Sequence, residues 1–88
     1  MKLKAKHILV EHEYEAKDIL KKLADGKSFE ELAKDFSQCG SAPQGGDLGE
    51  FSKGMMVPAF EKALLLLKND EISGIVRTQF GYHIIKRL

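Results

Sequence analysis

Lys4-Ala5-Lys6-His7-Ile8-Leu9-Val10 is the stretch on which the fold turns. The run Ile8-Leu9-Val10 is apolar and β-prone, and strand periodicity puts Ala5, His7 and Leu9 on one face with Lys6, Ile8 and Val10 on the other. Both faces carry apolar side chains. A strand of that kind is buried on two sides, so the spacing predicts the central strand of a sheet, with His7 projecting from one face.

Downstream the period changes. Glu11 to Glu15 reads as an acidic connection. From Tyr14 to Asp25, Ala16, Ile19, Leu20 and Leu23 fall at helical spacing with Lys17, Lys21 and Lys22 outward, which predicts an amphipathic helix stopped by Asp25-Gly26. Ser28-Phe29-Glu30-Glu31 has the form of a capping box and opens a second helix, with Phe29, Leu32, Ala33 and Phe36 as its buried stripe. Pro58 suits the first turn of a third helix, whose inner face is Phe60, Ala63, Leu64 and Leu67, widened by Leu65 and Leu66. Ile72 to Thr78 and Gly81 to Leu88 are β-prone runs around Gln79-Phe80, an antiparallel hairpin in which His83 and Ile85 share a face. The sum is an α+β domain, a small mixed or antiparallel sheet covered by helices. His7 and His83 become neighbours in it if the first and last strands pair.

Between the second and third helices, Phe36 to Phe60 holds five of the eight glycines, both prolines and the only cysteine. Turn formers at that density predict irregular surface chain, with Leu48 to Phe51 short enough for one strand. Yet Cys39, Leu48, Met56 and Phe60 recur through it. Soft apolar side chains on a loop held by a rigid scaffold have the character of a pocket wall, which makes this stretch the candidate site.

Composition narrows the function classes. A chain of 88 residues predicts a single domain over residues 1–88. A net charge of +1, with no long basic run, argues against a dedicated nucleic-acid binder. One cysteine cannot close an intrachain disulfide, so nothing asks for an oxidising compartment. The basic opening Met1-Lys2-Leu3-Lys4 leads into no apolar leader segment, and the longest apolar run, Ala63 to Leu67, is far below the roughly 20 residues of a membrane span. The expectation is a monomer in the cytoplasm with no membrane partner, unless the domain is cut from a longer exported protein.

In order along nearly the whole chain stand His7-Ile8-Leu9-Val10, Phe29-Glu30-Glu31-Leu32-Ala33, Ser37 with Cys39, Gly45-Gly46-Asp47-Leu48-Gly49-Glu50-Phe51, Gly54-Met55-Met56-Val57-Pro58-Ala59-Phe60 and Thr78-Gln79-Phe80-Gly81-Tyr82-His83-Ile84-Ile85. Together they resemble the parvulin family of peptidyl-prolyl cis-trans isomerases. The resemblance implies an FKBP-like α+β fold, a four-stranded, largely antiparallel sheet surrounded by four helices, one of them a short turn within Cys39 to Gly46. It implies a catalytic set of His7, Cys39, His83 and Thr78, beside a proline slot walled by Leu48, Met56, Phe60 and Phe80. The partners it implies are proline-containing peptides and unfolded segments, in the service of protein folding. Phospho-specific members carry a basic loop after the first strand, where this chain has Glu11-His12-Glu13-Tyr14-Glu15.

The residues leave alternatives open. His7 and His83 suit either direct catalysis or a buried pair that orients itself, and Cys39 suits a buried small hydrophobe or a nucleophile. No His-x3-His or Cys-x2-Cys spacing supports a metal site. Rotation about a peptide bond faces a barrier of about 18–20 kcal/mol, and a thousandfold acceleration needs only about 4 kcal/mol of it. An apolar slot can supply that, because the planar amide is the more charge-separated state and a low dielectric favours the twisted one. No cofactor, metal or covalent intermediate is needed. A noncatalytic module gripping proline segments in the same slot is the competing function.

Overall fold

The computed structural model describes residues 2–88; Met1, where the basic opening begins, lies outside the described residues. Strands β1 (Lys2–Val10), β2 (Asp47–Ser52), β3 (Val76–Thr78) and β4 (Gly81–Arg87) form one antiparallel sheet in the order β2-β1-β4-β3. The strand read first is therefore central. Its alternation divides the core: Ile8 and Val10 pack with Ile84, Ala16, Ile19, Phe29, Leu32 and Ala33 under helices α1 (Glu13–Ala24) and α2 (Phe29–Phe36). Leu3 and Ala5 pack on the other face with Ile85, Phe51, Phe60 and Leu64 beneath helix α3 (Pro58–Leu65). A short 3₁₀ helix, Ala42–Gln44, takes the place expected for the fourth helix.

Local chemistry explains the boundaries. Ser28 Oγ accepts the Glu31 N–H and so caps α2, but Glu31 does not reach back; the serine hydroxyl bonds Glu30 instead. The reciprocal carboxylate contact occurs at α1, where Glu15 accepts the His12 N–H. The connection after β1 is thus two residues, and Glu13 and Glu15 belong to the first turn of α1, where carboxylates complement the helix dipole. Two apolar residues depart from the expected stripes. Phe36 closes α2 and is 42% exposed, its ring lying under Lys22 Nζ at 4.4 Å. Leu66 follows the end of α3, where its N–H turns to Ala63 in a tightened last turn, and is 77% exposed. The expected Ile72 to Thr78 strand is shorter, with Ile72 holding only an isolated bridge to Lys86.

β1 runs out of partner on its β2 side. Pairing ends at Lys6 with Asp47, after a bulge between Lys4 and Lys6. The next bond, His7 N–H to Gly46 O at 3.0 Å, comes from the loop. Gly46 has φ +85°, and a Cβ there would collide with the His7 carbonyl oxygen, so the loop closes on the strand only through glycine.

Candidate active site

β1 and β4 pair with His7 opposite Ile85 and His83 opposite Leu9. The two histidines are therefore diagonal neighbours on the face that α3 covers. Their Nδ1 atoms are 3.1 Å apart, and both side chains are buried. Phe60, in the first turn of α3, presents its ring edge-on to both, with centroids 5.4 Å from His7 and 5.6 Å from His83. Burial, with the neighbouring His83 second, lowers the His7 pKa to about 4, and burial also lowers that of His83. Both rings are neutral at pH 7, so one Nδ1 donates and the other accepts.

Counting donors assigns the direction. Thr78 Oγ1 accepts the Phe80 N–H at 3.2 Å and lies 2.7 Å from His83 Nε2. If the hydroxyl donates to Nε2, His83 carries its proton on Nδ1 and gives it to His7 Nδ1, which leaves the His7 proton on Nε2. The reverse direction leaves both the threonine proton and the His7 Nε2 lone pair without partners in the network. The first arrangement leaves only His7 Nε2–H, a buried atom with no hydrogen-bond partner among the described residues.

In front of this floor opens a cavity of about 400 Å³, lined by Leu9, Cys39, Leu48, Met55, Met56, Val57 and Phe80 together with His7, His83 and Phe60. Of the eight site residues read from the sequence, seven reach this lining, while Thr78 lies behind His83 and touches it through its hydroxyl. Cys39 is half-buried in the wall, and three of the four ring nitrogens find their partners in each other and Thr78, none in its thiol. Phe60 is the floor, 2% exposed, whereas Met55 and Phe80 stand 69% and 60% exposed at the rim. Leu9 and Val57 add to the walls expected from the sequence. Strand parity could have found Leu9, which shares the His7 face; Val57 carries no signal beyond preceding Pro58. Neither lysine nor arginine lines the cavity, and neither do Glu11, Glu13 and Glu15 of the acidic stretch after β1. Among the described residues no cluster of His, Cys, Asp and Glu is arranged to hold a metal.

An antiparallel four-stranded sheet with a neutral histidine pair beneath an apolar slot defines a small α+β domain of the parvulin class. The chain belongs to the rotamase family of PPIC-type PPIase domains, whose family model matches residues 3–88. It is 56% identical over 85 residues to foldase protein PrsA 1 of Bacillus cereus, a match covering 96% of this chain and 30% of the relative. A crystal structure of the peptidylprolyl isomerase PrsA from Bacillus anthracis superposes with a TM-score of 0.95 at 55% identity, over 98% of this chain and 40% of that one. The solution structure of NmPin, the parvulin of Nitrosopumilus maritimus, gives a TM-score of 0.86 at 49% identity, over 99% of this chain and 95% of that one. The chain thus spans about 30% of the length of the curated foldases it matches.

Proposed function

We propose that this domain is a peptidyl-prolyl cis-trans isomerase that accelerates rotation about X-Pro bonds in unfolded or extended polypeptides, by a noncovalent mechanism in the apolar slot. The observation that carries the reading is the floor of that slot, Phe60 set edge-on against the neutral His7–His83 pair. A proline ring seated on Phe60 between Leu48 and Met56 leaves water, and the amide beside it enters a medium that favours its twisted, less charge-separated state. The histidines in this reading hold the floor in shape. Their exposed area is too small for a substrate to reach the buried His7 Nε2 without movement of the wall.

A nucleophilic Cys39 would need a neighbouring cation or helix N-terminus to stabilise its thiolate. Cys39 lies instead just after the C-terminal end of α2, beside neutral histidines, in a lining without lysine or arginine. The wall residue is a soft apolar neighbour. The same lining speaks for substrates with Leu, Phe or Met before proline and against phosphate, which is recognised by Arg forks and Lys charges. PrsA proteins bear the name foldase, and we assign unfolded, proline-containing client segments to this chain on that likeness. No helix among the described residues is long and apolar enough to cross a membrane. A monomeric, cytoplasmic setting, or that of an isomerase module within a longer exported chain, belongs to the same proposal. Light scattering checks the first, and fractionation of the cells that make it checks the second.

A protease-coupled assay on a Leu-Pro tetrapeptide tests the activity. Catalytic amounts of the domain should speed conversion of the cis fraction; saturable peptide binding with no acceleration would assign the slot to the noncatalytic module instead.

A further inference from the structure

Beyond Gly46, the β2-side edge of β1 is completed by a side chain. Ser37, the C-cap residue just after α2, places Oγ 3.0 Å from the Leu9 nitrogen and 3.3 Å from the Cys39 nitrogen, accepting from both N–H groups, and the adjacent Gln38 N–H donates to Leu9 O at 2.7 Å. The oxygen stands where a carbonyl of β2 would stand had that strand continued. Leu9 and Cys39 both line the cavity, so one hydroxyl oxygen sets the distance between two of its walls. Ser37 itself is absent from the lining and touches neither Phe60 nor the histidines through a hydrogen bond.

We infer that Ser37 is a positioning residue for the isomerase site: its Oγ pins the Cys39 wall to Leu9 on β1 and so fixes the width of the proline slot. A hydroxyl is suited to the task because it accepts two N–H groups at once, which an alanine cannot do and a thiol does weakly. Without it, the Leu9 and Cys39 amides lose their acceptor, and the segment from Ser37 to the 3₁₀ helix keeps only the Gln38–Leu9 bond as its direct tie to β1 in this region. The effect on turnover rests on the isomerase reading, whereas the pinning does not.

The test compares wild type with Ser37→Ala and Ser37→Thr in two measurements. Amide hydrogen exchange reads the pinning alone. Protection at Leu9 and Cys39 should fall about tenfold or more in Ser37→Ala and return in Ser37→Thr, with Ile8 and Ile84 unchanged. Kinetics on the Leu-Pro tetrapeptide reads the consequence, with KM raised about tenfold in Ser37→Ala, kcat within about twofold, and Ser37→Thr close to wild type. A residue that merely supported the fold would lower the melting temperature and leave both KM and the local exchange pattern alone, and that result overturns the inference. Should wild type prove inactive, the dissociation constant of the same peptide replaces KM. Should Ser37→Ala fail to fold, Ser37→Cys, close in size but a weak acceptor, must show the same two changes or the inference fails.

Discussion

Acidification should destabilise this domain through its histidines. His7 has a folded pKa of about 4 against 6.5 for the free side chain, lowered first by burial and then by His83. Between those values the unfolded chain binds a proton that the folded chain refuses, so stability rises with pH across the window and is lost as pH falls from about 6.5 toward 4. At 1.36 kcal/mol per pH unit, acidification from pH 7 to 4.5 costs about 2.5 kcal/mol from His7 alone. The lowered pKa of His83 adds in the same direction. Against a total of about 5–15 kcal/mol that is a large share. Glu30, held at about 2 mainly by its hydrogen bond from Lys6, extends the decline below its free value of 4.5; its side chain is 37% exposed, so solvent screening makes its part small. Urea unfolding followed by circular dichroism at pH 7, 5.5 and 4.5 should show the midpoint falling by about 2.5 M or more, at a slope of roughly 1 kcal/mol per M. In His7→Leu the same fall should shrink by at least half. A stability flat from pH 7 to 4.5, or a pH dependence that His7→Leu leaves intact, would refute the claim that the pair is buried neutral.

Three further perturbations probe separate parts. Phe60→Ala, which removes the floor, should cost about 3–5 kcal/mol and nearly all peptide affinity while leaving a folded domain at low temperature; retained activity in that folded variant would exclude this slot. Cys39→Asp, which cannot act as a thiol, should keep substantial isomerase activity, and mass spectrometry should find no covalent peptide adduct; near-complete loss in a folded variant would favour covalent chemistry. Among peptides, Leu-Pro should be turned over faster than Glu-Pro and phosphoserine-Pro slowest, at low and high salt alike, since the preference comes from an apolar lining. A phosphoserine peptide that outpaces its leucine counterpart would contradict it.

The sheet was legible because parity is robust: the two-sided burial of Ile8 and Val10 against Leu3 and Ala5 marks β1 as central, and the same parity puts His7 and His83 on one face. Much of the slot followed from apolar residues stranded in a glycine-rich stretch. What escaped depends on where elements end. Phe36 continues the stripe of α2 in sequence but is the helix's last residue and stays partly in solvent under Lys22, and Leu66 follows the tightened last turn of α3 into solvent. The acidic connection is shorter than expected because Glu13 and Glu15 fall in the first turn of α1, where carboxylates complement the helix dipole. The bond from the Leu9 N–H to Ser37 has no sequence signature, since it joins residues 28 apart through a single hydroxyl.

The central claim, that the slot over Phe60 catalyses rotation without covalent chemistry, is tested most directly by exchange NMR on a Leu-Pro peptide with catalytic amounts of the domain. Cis–trans exchange peaks should emerge on a timescale of a second or less, where the free peptide needs roughly tens to hundreds of seconds, with shift changes in the domain concentrated at Cys39, Met56 and Phe80. Binding at those residues with an unchanged exchange rate would contradict it.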